Sequence, residues 1–356
     1  MPDIPVCPEC GVPRLVTAEH TWLSDGAIVQ TRFWGHRMAF VETENLDPLF
    51  KGIEELVGMS IQDVLVRVSR RATLGYMLRL VTDEVRDMLF EGKVGSDLVI
   101  DSAFQLTRIM GYGDPTLVDV SFERSPDDYV VVRYRYPCSV PIIAGAVAGA
   151  VEAFIDRTVG VTYQEISPDT VEIRVCESVH PLEMRNRLWF KPHQPSRGGI
   201  ELRKCATCGG PARLSGFGWD PDTGIIRDGA TGRRVALLGP PIIDTFLEEL
   251  GGELGESVPE IVVEAQRRFV RNGYYPVALV HDQQMREQLA LRGLGDLKEL
   301  KMDRGGVRLR LENAVLPLFG VGLMQGLYEL AFGIESRAEW EISEDGTLIV
   351  NVAPWN

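Results

Sequence analysis

CPECGVPRL at residues 7–15 and CATCGGPARL at residues 205–214 each carry two cysteines two residues apart, followed by glycine. Such a turn lets two thiolates approach one cation, and the glycine permits the backbone conformation that the turn needs. A closed structural site takes four ligands, so each stretch is half of one. His20 is the nearest residue that could add to the first pair, but the matching stretch SGFGW (215–219) has no histidine, and no further cysteine follows Cys208. The two pairs complete each other if the chain is written twice and its halves meet about a pseudo-twofold axis.

The sequence supports that. Cys7 and Cys10 fall on Cys205 and Cys208 at an offset of 198, and GHRMAFVE (35–42) matches GRRVALLG (232–239) at 197. The segment 46–71 continues the match over 242–268, and each segment leads to a Gly-Tyr, Gly75-Tyr76 and Gly273-Tyr274. The offset then falls. MGYGDPTLVDVSFERSPDDYVVVRYRY (110–136) corresponds to RGLGDLKELKMDRGGVRLRLEN (292–313), and Gly145, Gly149 and Glu152 align with Gly322, Gly326 and Glu329 at an offset of 177. We therefore expect a first repeat over 1–176, a linker over 177–204 and a second repeat over 205–356.

Each repeat is expected to be α+β, an antiparallel sheet packed by helices, with a Cys-x-x-Cys knuckle and a hairpin at its start. Helices are expected near 47–58, 60–74 and 77–90. Ile61, Val64, Leu65 and Val68 in the second are spaced to line one face. Alternating strands flank Ser-Pro-Asp-Asp in the first repeat and Asp-Arg-Gly-Gly in the second. A glycine-bearing helix (141–157) and a last strand pair around Ser-Pro-Asp close the first repeat.

Composition narrows the function. With 37 basic and 51 acidic residues the formal net charge is −14, which argues against nonspecific nucleic-acid binding. A regulator of transcription remains a third alternative. The most apolar stretch, SVPIIAGAVAGAVEAFI (139–155), is too short and too interrupted to suit a membrane span. The start, MPDIPVCPEC, lacks the pattern of a secretion signal, so a cytoplasmic protein is expected. Cysteine pairs in such a chain point to metal or redox chemistry rather than to a disulfide framework. Zinc is the expected ion on Cys7, Cys10, Cys205 and Cys208. Iron held as in rubredoxins uses the same ligands, which leaves an electron carrier or metal-dependent enzyme as the second alternative. Cys138 and Cys176 have no counterpart in the second repeat and are expected to be small buried apolar groups.

The glycine-faced helix followed by an acidic strand pair, GAVAGAVEAFIDRTVGVTYQEI (145–166) and GLMQGLYELAFGIESRAEWEI (322–342), resembles the 4-vinyl-reductase-like domain. That group is similar in fold to the haem-NO-binding domain and to small subunits of the TRAPP complex. The resemblance implies a ligand-binding fold with an apolar pocket, used for sensing small molecules or as an accessory factor. Family members commonly carry cysteines on the final strand pair, and this chain does not. His281, in the second repeat, has no partner in the first, which argues against haem.

Gly145, Gly149, Gly322 and Gly326 are expected either to admit a close neighbour or to floor a ligand pocket, with Glu152 and Glu329 as its carboxylates. Arg70-Arg71 and Arg267-Arg268 are expected to end their helices, where the dipole favours cations. His36 faces Arg233, so the repeats share no histidine there. Phe33 and Trp34 against Ala230 and Thr231 are the main aromatic difference between the halves, which suggests that one half keeps a working pocket. GYGD and GLGD are expected to be turns. No nucleophile elbow, P-loop or zinc-protease motif is present in the sequence. The expected function is therefore a non-catalytic binding or accessory protein. It would hold an apolar small molecule or a partner protein, and further copies of the chain could assemble.

Overall fold

The computed structural model describes residues 4–32, 35–91, 93, 95–121, 125, 127–178, 192–255, 257–275 and 282–355. Phe33, Trp34, His281 and residues 179–191 of the linker lie outside the described residues. In chain order, helix α1 (Arg14–Glu19) leads to strands β1 (His20–Trp22), β2 (Ile28–Gln30) and β3 (His36–Glu42). Helices α2 (Leu46–Val57), α3 (Gln62–Met77), α4 (Asp83–Phe90) and α5 (Ser96–Ile109) come next. Strands β4 (Asp114–Ser121) and β5 (Tyr129–Arg135), helix α6 (Val140–Ile155) and strands β6 (Val159–Ser167) and β7 (Thr170–Glu177) follow. Later come strands β8 (Phe217–Asp220), β9 (Ile225–Asp228) and β10 (Arg234–Leu238), then helices α7 (Pro241–Leu254), α8 (Val258–Phe269) and α9 (Asp282–Leu291). Strands β11 (Asp296–Asp303) and β12 (Gly306–Glu312), helix α10 (Pro317–Phe332) and strands β13 (Ser336–Ile342) and β14 (Leu348–Pro354) end the chain.

The α+β class is as expected. The residues group into two compact units, each taking segments from both sides of the linker. The first is formed by Ile61–Phe190 and Gly218–Ala236, with Met1–Pro5. The second is formed by Val6–Ser60, Lys191–Phe217 and Leu237–Asn356.

In the first unit the antiparallel sheet runs β4-β5-β7-β6. Its inner face is built by alternation: Val130, Val132 and Tyr134 on β5 pair with Val175, Ile173 and Val171 on β7, and all six are buried. Helix α6 is apolar almost all round, which suits a helix covered on several sides. It packs on α3. The β8–β9 hairpin and the start of β10 dock into the same unit. Trp219 Nε1 donates to the carbonyl of Ile109 at 3.1 Å, and Gly113 N donates to the carbonyl of Gly224 at 3.1 Å. Arg234 donates to the carbonyls of Pro137 and Tyr136.

The second unit has the sheet order β11-β12-β14-β13, with a bulge at Leu297/Glu299 where the first unit has one at Leu117/Asp119. Val307, Leu309, Leu311, Val350 and Val352 face α10 across a core that includes the fully buried Tyr328. The hairpin seated here is the early one. Trp22 Nε1 donates to Leu291 O at 2.8 Å, and Phe40 N to Arg292 O at 2.8 Å. A Cβ on Gly26 would strike the backbone of Gly295 and Asp296. GYGD and GLGD are thus the turns that receive the hairpin tips. Helix α2 buries Leu46, Leu49, Phe50 and Ile53, a helical spacing, and sets Gly52 against Ala265 of α8.

Three local expectations need correction. Helix α3 runs on to Met77, so Arg70 and Arg71 lie within it rather than at its end. Arg267 and Arg268 do sit in the last turn of α8. Beyond Met77 the stretch to residue 90 is α-helical only from Asp83, and α5 is a helix that the sequence does not announce: its residues are mostly half-exposed, so its apolar periodicity is shallow. Cys138 is buried, but Cys176 is exposed, because alternation along β7 turns it away from Val175 and the core.

Candidate metal centre

The four cysteine sulfurs of the two knuckles converge within the second unit, all within 4.8 Å of one another. Cys7 Sγ lies 3.8 Å from Cys205 Sγ, and Cys10 Sγ lies 3.6 Å from Cys208 Sγ. A cation at about 2.3 Å from each thiolate of a tetrahedron places the sulfurs about 3.8 Å apart, and these two distances match edges of such a tetrahedron. A disulfide would need about 2.05 Å.

The knuckles are built alike. Cys7 N donates to Val12 O at 2.8 Å, and Cys205 N donates to Gly210 O at 2.7 Å. Gly11 N and Gly209 N return to the carbonyls of Cys7 and Cys205. Each of these glycines holds a left-handed backbone, φ 72° and 74°, which a side chain would strain. Val6 bridges Pro13 and Lys204 bridges Pro211, closing each turn. The third residues of the two turns meet: Glu9 Oε2 accepts from Thr207 N at 3.1 Å and from Thr207 Oγ1 at 2.8 Å, which holds its carboxyl below the usual range.

The thiols shift in opposite directions: Cys7 falls, while Cys10 and Cys205 rise. The backbone N–H of Cys10 turned toward Cys7 lowers the Cys7 thiol to about 7, while burial pushes Cys10 up to about 12. Cys7 and Cys205 are buried, and Cys10 and Cys208 half-buried. All four donors are sulfur, the set that zinc or iron takes in structural and electron-carrying sites.

His20 does not belong to the ligand set. Its Nδ1 donates to Val16 O at 2.9 Å, which leaves Nε2 unprotonated, buried and without a hydrogen-bond partner. Burial lowers its pKa to about 4. The unfolded chain takes up this proton near pH 6.5, so stability is full above that value, falls as pH drops, and levels off below about 4. The expected loss is about 3 kcal/mol between pH 6.5 and 4, from a shift of about 2.5 units. Urea midpoints across that range should show it in the native chain, and a smaller loss in His20→Gln.

The segment leading into the second knuckle is packed as a strap on the β1–β2 hairpin. Buried Asp25 is its anchor. Asp25 Oδ2 accepts from His193 Nε2 at 2.9 Å and Ser196 N at 3.0 Å, and Asn313 Nδ2 donates to Ser196 Oγ at 3.0 Å. Burial alone would raise the Asp25 carboxyl, but His193 and the two backbone donors, Ser196 and Ala27, outweigh it and hold it low. Ile200 N donates to Ser24 O at 2.9 Å. Beyond this point a cleft of about 590 Å³ opens between strap residues 199–201, Arg286 and Glu287 of α9, and Leu297–Leu300 of β11.

The other six candidate residues are brought together in two packing joints, one per unit. A Cβ on Gly145 would lie 2.8 Å from Ser69 Cβ, and one on Gly149 2.8 Å from Leu74 N, with carbonyls of α3 closer still. On Gly322 it would lie 2.7 Å from Gln266 Cβ, and on Gly326 2.6 Å from Val270 Cβ. These faces are filled by neighbouring helices rather than flooring a pocket. Glu152 is buried and accepts from Arg70 Nε at 2.7 Å. Glu329 is buried and accepts from Arg267 Nε at 3.0 Å and from Ser336 N and Oγ at 3.0 and 2.8 Å. Gly149→Ala is therefore expected to lose about 2 kcal/mol by overpacking, although alanine favours helices. A urea titration reads this directly.

No protein-family model matches the chain, and no curated protein matches it. Among solved structures it is similar to the phenol-responsive sensory domain of the transcription activator PoxR with phenol, at 15% identity and TM-score 0.34, over 45% of this chain and 86% of that one. It is also similar to a point mutant of T. Tengcongensis H-NOX, at 16% identity and TM-score 0.25, over 33% and 75%. A Cs H-NOX mutant with the unnatural amino acid 4-cyano-L-phenylalanine matches at 16% identity and TM-score 0.26, over 39% and 82%. Among the described residues no helix is long and apolar enough to cross a membrane.

Proposed function

We propose that this chain is a non-catalytic binding protein built from two tandem copies of one α+β domain of 4-vinyl-reductase-like type. A structural zinc ion on Cys7, Cys10, Cys205 and Cys208 clasps the copies. The convergence of four sulfurs, from segments 198 residues apart, is the observation that carries it. Zinc would supply a crosslink between the knuckles. With four protein thiolates as its ligands it would offer no open position at which to activate water or substrate. The equal strand orders and the two equivalent bulges support the duplication. The cleft beside the strap is the binding face of this proposal.

Metal analysis of the purified chain tests the clasp. One zinc per chain in a colourless protein is the expected result. Two ions per chain would mean that the knuckles act separately. Iron with the red colour of a ferric-thiolate centre would make the chain an electron carrier instead.

A further inference from the structure

The cleft lies against the outer strand of its sheet. β11 pairs with β12 on one side, and among the described residues no strand pairs with its other edge. Strap residues 199–201 line the cleft beside residues 297–300 of β11, and among the described residues they form no ladder with it. An outer strand leaves alternate N–H and C=O groups unpaired, and these are a template for one more strand.

The charges around the cleft are unevenly satisfied. Both cations on its walls are committed to Asp296, which is buried: Arg286 Nε at 2.7 Å from Oδ1 and Lys298 Nζ at 2.6 Å from Oδ2. Glu299 meets the well-exposed Lys301 at 3.3 Å. Glu201, exposed at the rim, has no ion-pair partner among the described residues. Leu297 and Ile200, both nearly buried, give the cleft an aliphatic floor. A net charge of −14 draws cationic partners toward the molecule as a whole.

We propose that this cleft binds an extended peptide carrying a basic residue. The peptide adds to β11 as a further strand and sets its cation against Glu201. Backbone pairing along β11 supplies affinity, and the carboxylate and aliphatic floor supply selectivity for alternate side chains. This rests on the binding-protein reading but not on the identity of the metal, so zinc analysis and the experiment below fail independently.

The probe is a displayed library of random octapeptides panned against the full chain, with Glu201→Lys as counter-target. Glu201 is exposed, so the variant should melt with the native chain, and Glu201→Gln replaces it if it does not. Enriched peptides are expected to hold Lys or Arg among β-branched residues and to bind the variant at least tenfold more weakly. They should also slow amide exchange at residues 297–300 and lose binding when alternate backbone amides are N-methylated. No enrichment overturns the proposal. So does enrichment indifferent to Glu201, or binding that survives N-methylation or leaves the β11 amides unprotected.

Discussion

Cys205→Ser is expected to abolish stoichiometric metal binding and to lower the unfolding free energy by on the order of 5 kcal/mol. Structural zinc contributes about 10–16 kcal/mol in small fingers that have no other core. Here the second unit has its own apolar core around Tyr328, so a part of that sum reaches global stability. Cys205 is buried, and serine there leaves a buried hydroxyl beside three thiols. Cys208, half-buried, should tolerate serine better because water reaches it. Urea unfolding with and without a chelator decides the matter. The chelated native chain should unfold where Cys205→Ser does, and equal midpoints for variant and untreated native chain would remove the metal from the account of stability.

Glu329→Ala should cost about 4 kcal/mol, the usual range for removing one partner of a buried ion pair. Its carboxylate holds the Arg267 guanidinium and both polar groups of Ser336, where the chain leaves α10 to enter β13. Glu329→Gln keeps an acceptor for Ser336 and loses the charge, so about half that cost is expected. Denaturant titration of both variants separates charge from hydrogen bonding. A loss below about 1 kcal/mol for Glu329→Ala would mark the pair as solvated in solution, as exposed pairs are.

The four-cysteine cluster is legible in the sequence because each half obeys a local rule: two cysteines, a tight turn and a glycine whose left-handed backbone suits it. Its completion follows from the lack of any further ligand shared by both halves. The roles of Glu152 and Glu329 are not legible. Their partners, Arg70 and Arg267, stand 82 and 62 residues away, and only the helix crossing at the glycines brings them together. Arg70 does not end its helix because nothing local stops α3 before Met77. The strap reads as a linker because PHQPSRGG is rich in proline and glycine. Its order comes from distant partners, the Asp25 carboxylate above all, with Asn313 and the Ser24 and Gly35 carbonyls, which no periodicity predicts. Alignment of the halves locates the hairpins, but likeness between two segments does not say which sheet each one will join.

That last point bears on how the molecule is made. The first unit takes in Gly218–Ala236, and the second takes in both Val6–Ser60 and the stretch from Leu237 onward. A nascent polypeptide emerging from the ribosome therefore cannot finish its first unit until translation has passed Ala236, nor its second until the chain ends. Throughout that interval GYGD waits for a hairpin not yet synthesised, and the early hairpin waits for GLGD. Synthesis of this protein leaves unsatisfied backbone and apolar surface open for longer than two consecutive domains would, which makes the emerging chain a natural client for chaperones.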